Sequence, residues 1–284
     1  MYPNRYNRSR GGGMNRGGVR VLIALAIAIF SLFTYFNSSS KNPVTGETQR
    51  VGGITPKQEI ALGLQSAPQM LRQYGGESRD AQGTRLVKSV GEKLVQRSIA
   101  QKSPYQFEFH LLADNRTVNA FALPGGPIFI TEALLRRLRT EGELAGVLGH
   151  EIGHVVERHS AQQLAKQQLT QGLTGAAVLA TYDPGNPSSR NSAAVIAAIG
   201  QLVNMKFGRD DEIESDRFGV RAMAEAGYDP NSMVGVMKVL KDAGAGGGPP
   251  EFFSTHPNPD NRIGRIEQAI REFFPNGVPA GLQK

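Results

Sequence analysis

TEGELAGVLGHEIGHVVERHSAQQLAKQQ, residues 140–168, has the marks of one long helix. Thr140 as N-cap and Glu143 three residues on form a capping box that opens it. Inside it, His150 and His154 are four residues apart. Four residues turn through about 400°, so both imidazoles lie on one face, where a single divalent metal can touch them. Glu151 projects about 100° away, placed to act on a water at that metal without coordinating it. This is the HExxH pattern, whose chemistry is zinc-dependent hydrolysis of peptide bonds.

Helical phase sharpens the picture. With His150 at zero, His154 falls near 40° and His159 near 180°, so His159 does not share the metal from this helix. Gly142, Gly146, Gly149 and Gly153 cluster between about −40° and −100°. A helix-interior glycine costs roughly 1 kcal/mol against alanine. Four on one stripe imply a second backbone packed close beside the ligand face.

A catalytic zinc takes three protein ligands and keeps one open position. Glu157, near −20°, is the nearby candidate, but it must bend back over His154. A third histidine ten residues after the first is ruled out, because Ser160 stands there. Downstream, residues 209–219 read RDDEIESDRFG. Glu212 and Asp216 share a helical face, and Glu214 points away. With Glu212 as ligand, Asp216 is free to accept the outward N–H of a ligating histidine and fix its tautomer; Glu214 has no such companion.

The rest of the chain frames this site. Of 32 basic residues, six (Arg5, Arg8, Arg10, Arg16, Arg20, Lys41) lie in residues 1–41, which hold no acid; the remaining 26 face 25 acids. The net charge of +7 is therefore a property of the tail, and no basic stripe for nucleic acid remains. With no cysteine, disulfides and thiolate metal sites are excluded. Residues 21–36, VLIALAIAIFSLFTYF, carry no charge behind the arginine-rich residues 1–20. They read as a membrane anchor with a cytoplasmic tail, or as a cleaved signal, given the small residues Ser38, Ser39 and Ser40. Everything after them is placed outside the cytoplasm. Residues 37–55 are polar and turn-rich and read as a linker, leaving 56–284 as the catalytic domain. Helices are expected at about 56–73, opened by Thr55 and Pro56, and at 79–101, packing through Leu86, Val90, Leu94 and Ile99. Phe107 and Phe109 alternate with Glu108 and His110 as a half-buried strand, with His110 as a solvated histidine. Residues 119–123 and 128–131 flank Pro124-Gly-Gly-Pro127 as a hairpin. Its prolines favour an edge strand, either an ordinary one or one that accepts an extended peptide. The apolar runs 172–181 and 193–205 read as packing helices around an exposed loop at 183–190, placed to overhang the cleft.

NAFALPGG (119–126), LGHEIGHVVERHS (148–160), EIESDRFG (212–219), GYDP (227–230) and STHPNPDNRI (254–263) together resemble the HtpX-like and CAAX-prenyl-protease-like zinc metallopeptidases of the glutamate-zincin type. The similarity is greatest to the bacterial periplasmic branch with a single anchor. It implies an α+β fold, a mainly helical zincin-type domain with a small mixed β-sheet behind one membrane helix. It implies one Zn²⁺ per chain held by His150, His154 and Glu212, with Glu151 as general base and Asp216 behind a ligand. It gives His256 a place over the zinc, as transition-state hydrogen-bond donor or inhibitory fourth ligand, and Arg262 a part in shaping the cleft. It makes the 119–126 strand the substrate edge. Several membrane helices surround the catalytic domain in the prenyl proteases and HtpX, whereas this chain has one, which argues against prenylated or intramembrane substrates.

The expected activity is that of a membrane-tethered zinc endopeptidase acting on misfolded envelope proteins at the periplasmic side of the inner membrane. The alternative is a chaperone-like assembly factor whose edge strand binds clients.

Overall fold

The computed structural model describes residues 16–181, 207–244, 248–257 and 261–284; the anticipated loop at 183–190 and apolar run at 193–205 lie outside them. The elements in order are α1 (Arg16–Asn37), β1 (Ser39–Lys41), β2 (Thr48–Arg50), α2 (Pro56–Gln73), α3 (Ala81–Arg97), a 3₁₀ turn (Ile99–Lys102), β3 (Glu108–Leu112), β4 (Ala120–Ala122), β5 (Pro127–Thr131), α4 (Glu132–Leu135), α5 (Glu141–Val156), α6 (His159–Thr181), α7 (Arg209–Glu225), α8 (Ser232–Ala243), α9 (Phe252–Thr255) and α10 (Arg262–Phe273). This is the anticipated mainly helical domain with a small mixed sheet behind one apolar helix.

The chain divides into two compact units, Met1–Asn37 with Gln167–Val203, and Ser38–Lys166 with Asn204–Lys284. In the first, the segment Gly18–Asn37 is 20 residues long and apolar enough to cross a membrane. At 1.5 Å per residue it spans about 30 Å, matching a hydrocarbon core better than the sixteen-residue run alone. A Cβ at Gly172 would fall on the Ser31 side chain, so α1 and the distal part of α6 meet closely there.

In the second unit the sheet order is β3–β5–β4, with β3 parallel and β4 antiparallel to β5. The hairpin forms where expected, and β4 is an edge. Its partner is not. β5 is central and buried along its whole length, and Pro127 is tolerated as the first residue of that strand. The turn needs Gly126, whose φ of 131° is closed to other residues and where a Cβ would strike the Gln106 carbonyl.

α2 begins at Pro56 with Thr55 as N-cap and a complete capping box to Gln58. α3 buries Val87, Val90 and Leu94 against the sheet, with Gly91 under the Phe109 ring. Leu86, expected in this stripe, is instead 38% exposed: the buried face runs through Gly83, Val87, Val90 and Leu94. The stretch expected as linker contains the β1–β2 antiparallel hairpin. Asn42 at its turn is buried and donates to the Val156 carbonyl at 2.7 Å, capping the end of α5.

The long central helix does not run to residue 168. It ends at Val156, and Arg158 adopts a left-handed φ of 60° before α6 starts at His159. Such a conformation is uncommon outside glycine and needs support. The Arg158 guanidinium supplies it, reaching the buried Glu59 carboxylate at 2.7 Å and the Ile54 carbonyl at 2.5 Å. Tyr105 completes this cluster, donating to Glu59 at 2.8 Å.

Candidate metal centre

The HExxH helix is buried on every side: each residue from Gly142 to Val156 is inside. A helix with no solvent face must be matched all round, and its glycine stripe is where α7 and α8 approach. A Cβ at Gly149 would lie 3.4 Å from the Gly219 Cα, and one at Gly153 would lie 3.0 Å from the Ser215 Cα. The expected backbone contact is therefore that of α7, the helix carrying Glu212 and Asp216. At the head of α5, Thr140 accepts from the Glu143 amide at 3.1 Å. The Glu143 carboxylate accepts from Arg139 N instead of closing the box on Thr140.

Four side chains converge. His150, His154, Glu212 and His256 are buried and present one donor atom each within 4.8 Å of one another. The Nε2 atoms of His150 and His154 are 3.1 Å apart. Glu212 approaches His154 Nε2 at 3.4 Å and His150 Nε2 at 3.5 Å. His256 Nδ1 lies 3.1 Å from Glu212 and 3.3 Å from His150 Nε2. Donors around a tetrahedral zinc at about 2.1 Å are separated by about 3.4 Å. The donor set thus fits such an ion.

Charge points the same way. Glu151, Glu212 and Asp216 are buried here with one buried guanidinium, Arg262. The buried carboxyl groups outnumber the guanidinium three to one, an acid-rich, oxygen- and nitrogen-donor setting of the kind a divalent cation takes. Burial disfavours protonated His150, but hydrogen bonds to Asp216 and Glu212 outweigh it and carry the imidazole up to about 9. Burial pushes the Glu151 carboxyl up, and burial drives His154 well below the ordinary histidine range. Burial also opposes ionised Glu212, yet bonds to His150, His154 and His256 hold its carboxyl below the usual range. Both Glu151 oxygens lack a hydrogen bond among the described residues, and one lies 3.6 Å from His256 Nε2. A buried carboxylate left so is unusual in a native interior and marks a place built for another molecule.

Asp216 stands behind this group, its Oδ1 2.9 Å from His150 Nδ1. Arg262 grips it with two bonds, Nε to Oδ2 at 2.8 Å and Nη2 to Oδ1 at 2.9 Å. The Arg262 Nη1 also lies 3.1 Å from Glu212. Two ring contacts wall the group: Phe207 stacks on His154 with centroids 4.2 Å apart, and Phe252 on His256 at 4.4 Å.

The other candidates fall elsewhere. Glu157 is buried, but its carboxylate accepts from Thr45 at 2.9 Å, outside the four-residue group. His110 sits on the sheet, stacked on Phe129 and 2.9 Å from Glu77. His159 departs most from expectation. The break at Arg158 removes it from the α5 phase and turns its ring under His154, the two Nδ1 atoms 2.9 Å apart. No spacing rule announces this, because the rule presumes an unbroken helix.

Fold and site together define a zincin-type metallopeptidase domain. Residues 81–270 match Peptidase family M48, and the chain belongs to that family. It is 31% identical over 239 residues to the beta-barrel assembly-enhancing protease of Escherichia coli (strain K12), covering 78% of this chain and 47% of that protein. It is 28% identical over 249 residues to the mitochondrial metalloendopeptidase OMA1 of Schizosaccharomyces pombe, covering 84% and 68%. The OMA1 of Saccharomyces cerevisiae is also 28% identical, over 86% of this chain and 72% of its own length. The chain thus spans about half the length of the bacterial relative.

Proposed function

We propose that this protein is a membrane-tethered zinc endopeptidase that cleaves misfolded envelope proteins outside the cytoplasm, in the single-anchor periplasmic branch of its family. The observation that carries it is the buried convergence of His150, His154, Glu212 and His256 beside Glu151, whose carboxylate oxygens accept no hydrogen bond among the described residues. His150, His154 and Glu212 would hold the metal, and Asp216 fixes the His150 tautomer by accepting from Nδ1. Bound there, zinc would supply Lewis acidity for a water and the scissile carbonyl. Glu151 takes the proton of the attacking water and delivers it to the leaving amine. His256, within reach of Glu151, donates to the oxygen on which negative charge develops. The apolar helix and the arginines before it support a single-pass topology with a cytoplasmic tail.

The test is metal analysis with casein cleavage, wild type against Glu151→Gln. About one zinc per chain is expected in both, with cleavage lost in the variant; cleavage retained by Glu151→Gln refutes the mechanism. The bacterial relative's name joins assembly to proteolysis, which supports a second reading in which the β4 edge binds clients and proteolysis is secondary. Full rescue of a deletion strain by Glu151→Gln would favour that reading.

A further inference from the structure

His154 has an outer partner of a different kind from that of His150. His150 turns Nε2 to the four-residue centre and Nδ1 to Asp216 directly. His154 turns Nε2 the same way, so its Nδ1 faces outward, 2.9 Å from His159 Nδ1. His159 is fully buried, and its Nε2 lies 3.1 Å from Glu214 Oε2. The Glu214 side chain is 43% exposed. One proton arrangement satisfies the chain. Glu214 as carboxylate accepts from His159 Nε2–H, and His159 Nδ1, now an acceptor, takes the Nδ1–H of His154. His154 Nε2 is then left with its lone pair toward the centre. The Ser215 hydroxyl also lies 3.4 Å from His159 Nδ1.

We propose that His159 and Glu214 form a two-residue positioning relay that fixes the tautomer and ring orientation of His154 for metal binding. The relay rests on the metal-centre reading above. It also accounts for the strained Arg158: only a break between α5 and α6 brings His159 beneath a histidine five residues earlier. Glu214 points away from the metal, yet it acts on the site through His159.

Outer hydrogen-bond partners of metal-bound histidines are worth about 10–100-fold in affinity. The experiment measures zinc affinity by chelator competition, and the visible spectrum of the cobalt-substituted protein, for the full-length chain in detergent. The variants are His159→Phe, Glu214→Gln and the double substitution, each checked for native circular dichroism. His159→Phe should weaken zinc binding about 10–100-fold and shift the cobalt bands. Glu214→Gln, partly exposed and harmless to packing, should weaken binding about tenfold, the lower end of that range. The double variant should match His159→Phe, because Glu214 acts only through His159. Wild-type affinity and spectrum in a folded His159→Phe or in Glu214→Gln overturn the relay while the metal centre stands. A wild-type chain that binds no zinc overturns both readings.

Discussion

At the scale of single residues, Glu157 gives a prediction that needs no metal. It ends α5, buried, with bonds from Thr45 and Asn42. Burial is the dominant influence, outweighing the Thr45 bond, and carries its carboxyl from 4.5 to about 7. Between those values the folded chain binds more protons at this position than the unfolded chain does. Stability from this group therefore falls as pH rises across that window, and the penalty is complete above pH 7. Glu157→Gln keeps an acceptor for Thr45 and Asn42 without the buried charge. It should stabilise the fold by up to about 3 kcal/mol at pH 8, and by little at pH 4.5. Urea unfolding at the two pH values measures the difference. A variant less stable than wild type at pH 8 would contradict the account.

At the scale of elements, the α5–α7 contact separates two glycines that look alike in sequence. A Cβ at Gly149 meets the Gly219 Cα at an ordinary 3.4 Å, whereas one at Gly153 meets both the Cα and the carbonyl oxygen of Ser215 at 3.0 Å. Alanine gains roughly 1 kcal/mol over glycine in a helix interior. Gly149→Ala should thus be neutral or slightly stabilising. Gly153→Ala must move α7 and should cost about 1–3 kcal/mol, as overpacked cores do. It should also lower zinc affinity, since Ser215 lies between Glu212 and Asp216 on the helix it displaces. Denaturant unfolding with metal titration distinguishes the two. This contact was legible in the sequence because four glycines on one stripe have few other causes. The shared face of Glu212 and Asp216 was legible because one unbroken helix carries both. The Arg158 break was not: the ion pair that supports it reaches the buried Glu59, 99 residues away, which no local pattern encodes. The position of His159 was misjudged for that single reason. Leu86 failed differently, since a helical stripe one residue wide of the true face is still a plausible stripe.

At the scale of the whole molecule, charge and apolarity are divided along the chain. Six basic residues precede position 42 without an acid, and the remaining 26 and 25 nearly cancel. Five of the six are arginines at or before position 20, against the start of the 20-residue apolar span. Such a flank holds an N-terminus in the cytoplasm and directs the chain beyond the apolar span to the far side of the membrane. A near-neutral domain of mixed charge offers no opposing signal. A reporter active only outside the cytoplasm, fused after Lys284, should therefore be active, and one that works only in the cytoplasm should be silent. Replacing Arg5, Arg8, Arg10 and Arg16 with glutamine should reduce that bias and bring part of the second reporter's signal up. The opposite pattern with the native tail would put the metal centre on the cytoplasmic side, and envelope proteins would no longer be within its reach.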